Sequence, residues 1–299
     1  MTGTPLENRL LDLWSIMDFL NPGFLGDREY FQAAYDTGGR RTELACRITP
    51  VLLRRTKEMV APELPSRTEE TLSIDFDEPQ RVLYQAELLK ARDRIAGRGP
   101  MEILAALTRL RQLCCDPRLL KTDAAAPAES AKLATLLDMV CELLGEGHSA
   151  LVFSQFTSML ALIAEELRGR QLPHFTVTGD TPVPRRAEIV RQFTESAEPA
   201  VFLLSLKAAG TGLTLTKADY VFLYDPWWNP AVERQAIDRT HRIGQDKPVI
   251  AYRLVAADTV EEKVLDLQRE KAELFAQVMA DTGAVPRGLS ESDLRALLS

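Results

Sequence analysis

The residues best suited to chemistry lie together between Glu233 and Gln245, in the string ERQAIDRTHRIGQ. Arg239 and Arg242 stand three apart, a spacing that puts two side chains on one side of a helix. A guanidinium is permanently charged, planar and able to grip two oxygens at once. It therefore suits a phosphate on which negative charge develops. Gln235, Asp238 and His241 flank the pair, and Gly244 offers a helix stop just past the last turn. Two arginines on a helix also make a solvated face with surface ion pairs, so spacing alone leaves both readings open.

A second cluster runs through LLSLKAAGTGLTLTKADYVFLYDPWWNP, residues 203–230. Ser205, Lys207, Gly210, Thr211 and Gly212 read as a strand end followed by a compact glycine loop. Its amides and hydroxyls can approach a phosphate closely. Trp228 is either a stacking platform for a base or ribose or a packing residue against a neighbouring lobe. Ser154 and Gln155 follow a buried apolar run at a strand-to-helix turn. Arg185 and Arg186 open a helix after Gly179, where free backbone amides favour an anion. Phosphate binding and packing both remain open for these two. Near the start, Thr2-Gly3-Thr4-Pro5 reads as a helix entry, with Pro5 suited to the first turn.

The elements that must hold these residues follow from periodicity. Short apolar runs at Ala150–Phe153, Phe175–Thr178, Val201–Leu204, Tyr220–Tyr224 and Val249–Leu254 alternate with helical stretches. That rhythm predicts an α/β domain with a parallel sheet covered on both faces. Ligands bind such sheets at the carboxyl ends of the strands, where the candidate residues fall. Lys132 to Leu144 forms an amphipathic helix, with Leu133, Leu136, Leu137, Val140 and Leu144 on one stripe. Thr259 is expected to open the last long helix with a capping box to Glu262. Val260, Val264, Leu267, Leu274, Phe275 and Val278 form its buried stripe, and Gly283 ends it.

Before that region the rhythm is absent. Leu6, Leu10, Leu13, Trp14 and Met17 recur at helical spacing until Asn21-Pro22-Gly23. Residues 24 to about 130 read as helices carrying positive charge, including PVLLRRTKEMVAPELPSRTE and LTRLRQLCCDPRLL. Arg54, Arg55 and Lys57 either face phosphate or lock one lobe to another through their stems. Cys114-Cys115 reads as core, and DAAAPAES, from Asp123 to Ser130, as a linker.

Composition bounds the function classes. The 299 residues carry 36 Lys and Arg against 43 Asp and Glu, a net charge of −7 that argues mildly against nucleic acid. The distribution argues the other way, since Arg40–Lys57 holds six bases and one acid, and Lys90–Lys121 eight bases and three acids. Local basic faces on an acidic protein are compatible with DNA. Four cysteines without a Cys-x-x-Cys, and three histidines, predict no metal site. No apolar run has the length of a membrane span.

Taken together and in order, these strings resemble the helicase motifs of the Swi/Snf-type ATP-dependent DNA translocases in helicase superfamily 2, most of all bacterial members of the HepA/RapA-like kind. ERQAIDRTHRIGQ is similar to the last motif, ALVFSQFTSML to the fourth, and KAAGTGLTLT to the fifth. In that fifth motif Ala209 and Thr214 depart from the usual glycine and asparagine. TGTPLENRLLDLWSIMDFLNP resembles the third motif, which couples ATP state to lobe movement.

The resemblance implies a RecA-like helicase C-terminal lobe over 130–283 with a tail helix at 284–299. It also implies a helical inter-lobe insertion over 24–129 and the end of a first lobe over 1–23. Arg239 and Arg242 are then arginine fingers, and Gln235, Asp238, Gly210 and Gly212 face ATP. Ser154, Gln155, Arg185, Lys207, Thr211 and Trp228 contact DNA, and Thr2, Gly3, Thr4 and Pro5 couple the lobes. No Gly-x-x-x-x-Gly-Lys-Ser/Thr occurs in the sequence, so ATP with Mg2+ is expected to be held mainly by a first lobe outside this chain. Partners implied are double-stranded DNA, that first lobe, and RNA polymerase or a DNA-bound protein, with no membrane. The implied location is the cytoplasm, at the bacterial nucleoid. Two other readings are a non-catalytic DNA- or partner-binding fragment and a lobe of a strand-separating helicase.

Overall fold

The computed structural model describes residues 10–37, 39–51, 61, 63–95, 99–120, 129–209 and 212–269. They fall into two compact units, divided between Val60 and Ala61 and again between Leu265 and Asp266. The expected sites at Thr2–Pro5, Arg54, Arg55 and Lys57, and at Gly210 and Thr211, lie outside the described residues. So do Leu6, most of the Asp123–Ser130 linker, the end of the last helix with Gly283, and the tail helix.

In the N-terminal unit, α1 (Leu10–Leu20) precedes a short α2 (Arg28–Phe31) and α3 (Arg41–Ile48). Leu10, Leu13 and Met17 are buried with Phe31, Tyr35 and Leu44. The helix stops where Asn21-Pro22-Gly23 predicts. Gly23, at φ +77°, is in the left-handed region open to glycine and gives its amide to Asp18 Oδ1 at 3.1 Å. Asp27 caps α2 by accepting the Tyr30 amide.

The second unit holds a six-stranded sheet, all parallel, in the order β1-β6-β5-β2-β4-β3. The strands are β1 (Arg67–Ile74), β2 (Ala150–Ser154), β3 (His174–Val177), β4 (Val201–Ser205), β5 (Tyr220–Leu223) and β6 (Val249–Ala256). Five of these match the predicted apolar runs to within a residue or two at each end. The first does not, and it corrects the helical reading of residues 24 to 130. RTEETLSI forms an edge strand whose whole length pairs with β6, Arg67 opposite Val249 and Ile74 opposite Ala256. Its polarity is what an edge tolerates, because charged side chains there deter pairing with another chain. The rest of that stretch includes the expected helices α4 (Glu78–Ile95) and α5 (Pro100–Cys115).

Alternation along the strands sorts the core into two layers. Ala150, Val152, Leu203, Phe222 and Leu254 point to one face, under α6 (Ala131–Gly145) and α7 (Thr157–Gly169). Leu151, Phe153, Phe202, Leu204, Val221 and Ala251 point to the other, where Phe193 of α8 (Val183–Glu195) packs. The predicted stripe of α6 is buried at Leu133, Leu136, Leu137 and Val140, each worth about 1.5–3 kcal/mol of apolar burial.

A polar hub helps to fasten the helical segment to the sheet. Cys114 and Cys115 are fully buried, and burial pushes both thiols up, so they stay protonated. The Cys115 carbonyl accepts from Tyr224 Oη at 2.9 Å and from Ser130 Oγ at 2.7 Å, while Ser130 also caps α6. Beside them Lys132 and Glu261 form a fully buried ion pair, at 3.0 and 2.8 Å to the two carboxylate oxygens. Burial alone would lower the Lys132 ammonium, but the Glu261 carboxylate holds it above its ordinary range. Glu261 belongs to the helix over 260–269. The capping there shifts by one residue from the expected box: Thr259 Oγ1 accepts from the Glu261 amide, and Glu262 takes the Asp258 amide.

Candidate functional site

The carboxyl ends of β2, β4 and β5 converge where the chain changes direction across the sheet, the usual ligand crevice of such folds. After β2, buried Ser154 turns its Oγ inward to accept the Phe156 amide at 3.1 Å. The Gln155 amide reaches both oxygens of buried Asp225, at 3.3 and 3.2 Å, and Gln155 Nε2 is buried without a hydrogen-bond partner among the described residues. After β4 a single turn, α9 (Leu206–Ala209), carries the backbone of Lys207. The glycine loop resumes at exposed Gly212, whose φ of +75° favours glycine. After β5 comes Trp228, half-buried, and then α10 (Pro230–Ile237), which carries half-buried Gln235.

The arginines are not on that helix. It ends at Ile237, and the amides then shorten their reach: Arg239 to Ala236 at 3.1 Å, Thr240 to Ile237 at 3.1 Å, Arg242 to Thr240 at 3.0 Å. Such tightening is how helix ends satisfy their orphan groups. Gly244, at φ +98°, closes this turn and does not cap a helix.

Several bonds tie the arginine turn to the glycine loop. The Leu215 amide donates to the Arg239 carbonyl at 2.9 Å, and Arg242 Nη1 donates to Thr214 Oγ1 at 3.2 Å. Gln245, buried behind them, gives Nε2 to the carbonyls of Thr216 and Ala218, at 3.1 and 2.8 Å. Thr214, a departure from the expected asparagine, thus holds one arginine directly. Arg242 Nε also donates to the Asp238 carbonyl at 3.0 Å.

Arg239 differs from its neighbour. It is 7% exposed, and its Nε is buried with no hydrogen-bond partner among the described residues. Burial and the nearby Arg242 charge lower its pKa, against the opposing pull of Asp238. Asp238 itself is engaged elsewhere, accepting Arg67 Nη1 from β1 at 3.1 Å, with Glu69 paired to the same guanidinium. Two cations thus lie close together, and among the described residues no hydrogen bond meets the Arg239 Nε.

The start of α10 is fixed by a residue that sequence reasoning passed over. Buried Glu233 accepts the Trp227 amide at 2.7 Å and pairs with Arg253 of β6 at 2.9 Å. An arginine inside the apolar run VIAYRLVA was the available signal. Arg185 stands exposed at the start of α8, while Arg186 is buried and donates to the Thr181 carbonyl at 3.0 Å. Packing therefore accounts for one of the two, and exposure leaves the other open to solvent.

Comparison with known proteins agrees with this geometry. The SNF2-related domain matches residues 1–119 and the Helicase conserved C-terminal domain residues 131–244. An uncharacterized ATP-dependent helicase of Mycoplasma genitalium is 35% identical over 98% of this chain. The human SWI/SNF-related matrix-associated actin-dependent regulator of chromatin subfamily A member 1 is 34% identical over 93% of it. The chain spans 29% of the length of each. Among solved structures, the Sulfolobus solfataricus SWI2/SNF2 ATPase core in complex with dsDNA superposes with a TM-score of 0.61 at 32% identity. It covers 93% of this chain, which in turn covers 62% of it.

Proposed function

The chain belongs to the Snf2-type family of superfamily 2 helicase-like ATPases and has the RecA-like fold of their C-terminal lobe, and on that premise we propose that it is the second lobe of a DNA-stimulated ATPase that tracks along duplex DNA. The observation that carries this reading is the arginine turn: Arg239 and Arg242 side by side, locked to the glycine loop, with the Arg239 Nε buried and unpartnered. Like charges so placed repel each other and are stabilised by an anion between them.

The residues present fit the anionic end of a nucleoside triphosphate. ATP with Mg2+, held mainly by a first lobe, supplies the phosphoryl group when bound. On this reading Arg239 and Arg242 neutralise charge at its far end, and Gln235, Asp238, Gly210 and Gly212 are the further residues assigned to ATP. Arg242 then exchanges its bond to Thr214 for the ligand, which couples nucleotide occupancy to the glycine loop. The same reading has Ser154, Gln155, Arg185, Lys207, Thr211 and Trp228 contact DNA. Thr2–Pro5 transmit lobe movement. Such tracking would, on this reading, displace RNA polymerase or another DNA-bound protein, in the cytoplasm at the bacterial nucleoid.

The test is turnover per folded molecule. Alone, the chain should hydrolyse no ATP above background, with or without DNA. Joined to a first lobe it should become a DNA-stimulated ATPase, and Arg242→Ala should then lower turnover by about 10³-fold or more, the scale of an arginine finger. Arg242→Lys should fail nearly as badly, because an ammonium cannot reproduce the planar fork. Normal turnover in the folded fraction of both variants would sink the assignment.

A further inference from the structure

Arg111 lies on α5, far in sequence from the motif residues, yet its charge reaches the carboxyl edge of the sheet. It is 3% exposed. Its guanidinium carbon sits 4.7 Å from the centroid of the Trp228 ring and 6.0 Å from those of Trp227 and Phe156. Nη2 donates to the Pro226 carbonyl at 2.5 Å, and Nε is buried without a hydrogen-bond partner among the described residues. Among the described residues no carboxylate pairs with it.

A desolvated cation without a counter-ion is costly to hold, and a methionine could fill the same space without that cost. Ring faces and one carbonyl recover part of the loss, because each ring presents its negative face to the charge. What the arginine adds over an apolar residue is direction. Its plane fixes the rings that it meets, and its bond to Pro226 fixes the backbone that carries two of them. It is too buried to meet a phosphate itself.

We infer that Arg111 is a positioning residue for nucleic-acid binding: stacked against one face of Trp228, and tied to the Pro226 carbonyl, it holds that indole in the single orientation that offers its other face to a base or ribose. This rests on the proposed reading of Trp228 as a DNA contact. An indole ordered beforehand loses less freedom on binding, so the arginine acts on affinity without touching the ligand.

The test is a double-mutant cycle on duplex affinity, measured with the full chain by anisotropy of a labelled DNA at fixed low salt. Trp228→Ala and Arg111→Met should each weaken binding about tenfold, the scale of one stacking contact, and the double variant should bind no worse than Trp228→Ala alone. As a control, Arg111→Met and Arg185→Ala should combine additively. If Arg111→Met does not fold, Arg111→Lys takes its place, since it keeps the charge and loses the plane. Additive losses in the Arg111–Trp228 pair, or wild-type affinity in the Arg111 variant beside a weakened Trp228→Ala, would overturn the positioning role. Wild-type affinity in Trp228→Ala would instead overturn the DNA contact on which it rests.

Discussion

Lys132 and Arg239 are both cations withdrawn from water within one unit, and they are treated in opposite ways. Lys132 is fully buried, bonded to both oxygens of Glu261 and set 5.1 Å from the Tyr224 ring centroid. Arg239 has a second arginine for a neighbour and an Nε with no hydrogen-bond partner among the described residues. The first arrangement closes on itself and binds α6 to the helix over 260–269. The second sets two guanidiniums side by side, the arrangement that the proposed nucleotide contact would neutralise. Burial alone separates neither from the other. What separates them is whether the partner is built into the chain.

The largest effect that could break this contrast is catalytic. In the joined two-lobe protein, Arg239→Met should cut turnover by about 10³-fold while leaving the thermal midpoint unchanged or raised, because an unfavourable charge is removed. A clear fall in the midpoint would mean that Arg239 serves the fold. Lys132→Met should do the reverse, costing about 3–5 kcal/mol in urea unfolding by leaving Glu261 buried alone. Adding Glu261→Leu should restore most of that loss. The folded Lys132 pKa lies above the unfolded one, so its contribution is complete below the ordinary lysine value of about 10.4 and is lost only as pH rises through the higher folded value. Without Lys132, burial raises Glu261 further, so the lone carboxyl takes up a proton as pH falls. The cost of Lys132→Met should therefore be smaller at pH 6 than at pH 9.

Exposed cations make a third class and sharpen the comparison. Duplex binding should be independent of sequence, and its log affinity should fall linearly with log salt. Arg185→Ala should reduce that slope by about one, with no change in stability. A slope left unchanged would place Arg185 away from the DNA. The smallest effect concerns Glu87, an acid with Lys90 at 3.0 Å and Arg109 at 3.3 Å. Burial pushes its carboxyl up, but Lys90 and Arg109 outweigh burial and hold it below its ordinary range. Its contribution is thus present above the usual glutamate value of about 4.3 and fades as pH falls through the folded one. Glu87→Gln should destabilise at pH 6 and cost less at pH 3. Equal losses at both would show packing alone.

The sequence was most legible where one face or one run settles the structure. Val201–Leu204 and Ala150–Phe153 are apolar throughout because both sheet faces are covered, and α6 shows its stripe plainly. RTEETLSI gave no such sign, since an edge strand on solvent needs no apolar face, although Thr68, Thr71 and Ile74 carry some β preference. The arginine pair was legible by type and order, but not its departure from the helix, which depends on Gln245 and Leu215 reaching back across the loop. The ring cage around Arg111 joins residues 115 apart at its carbonyl bond, and no local pattern encodes it.

The edge strand carries one more implication. β1 finds its partner 182 positions later, Arg67 against Val249, so the sheet closes at that side only after β6 exists. Contacts so distant are entropically slow to form, and as synthesis proceeds from the N-terminus the strand emerges long before its mate. Its polarity keeps it soluble during the wait. Because Arg67 also holds Asp238, next to Arg239, docking of this strand is the step that completes the setting of the arginine turn. A nascent or partly folded chain can thus possess much of the core before the setting of the arginine turn is complete.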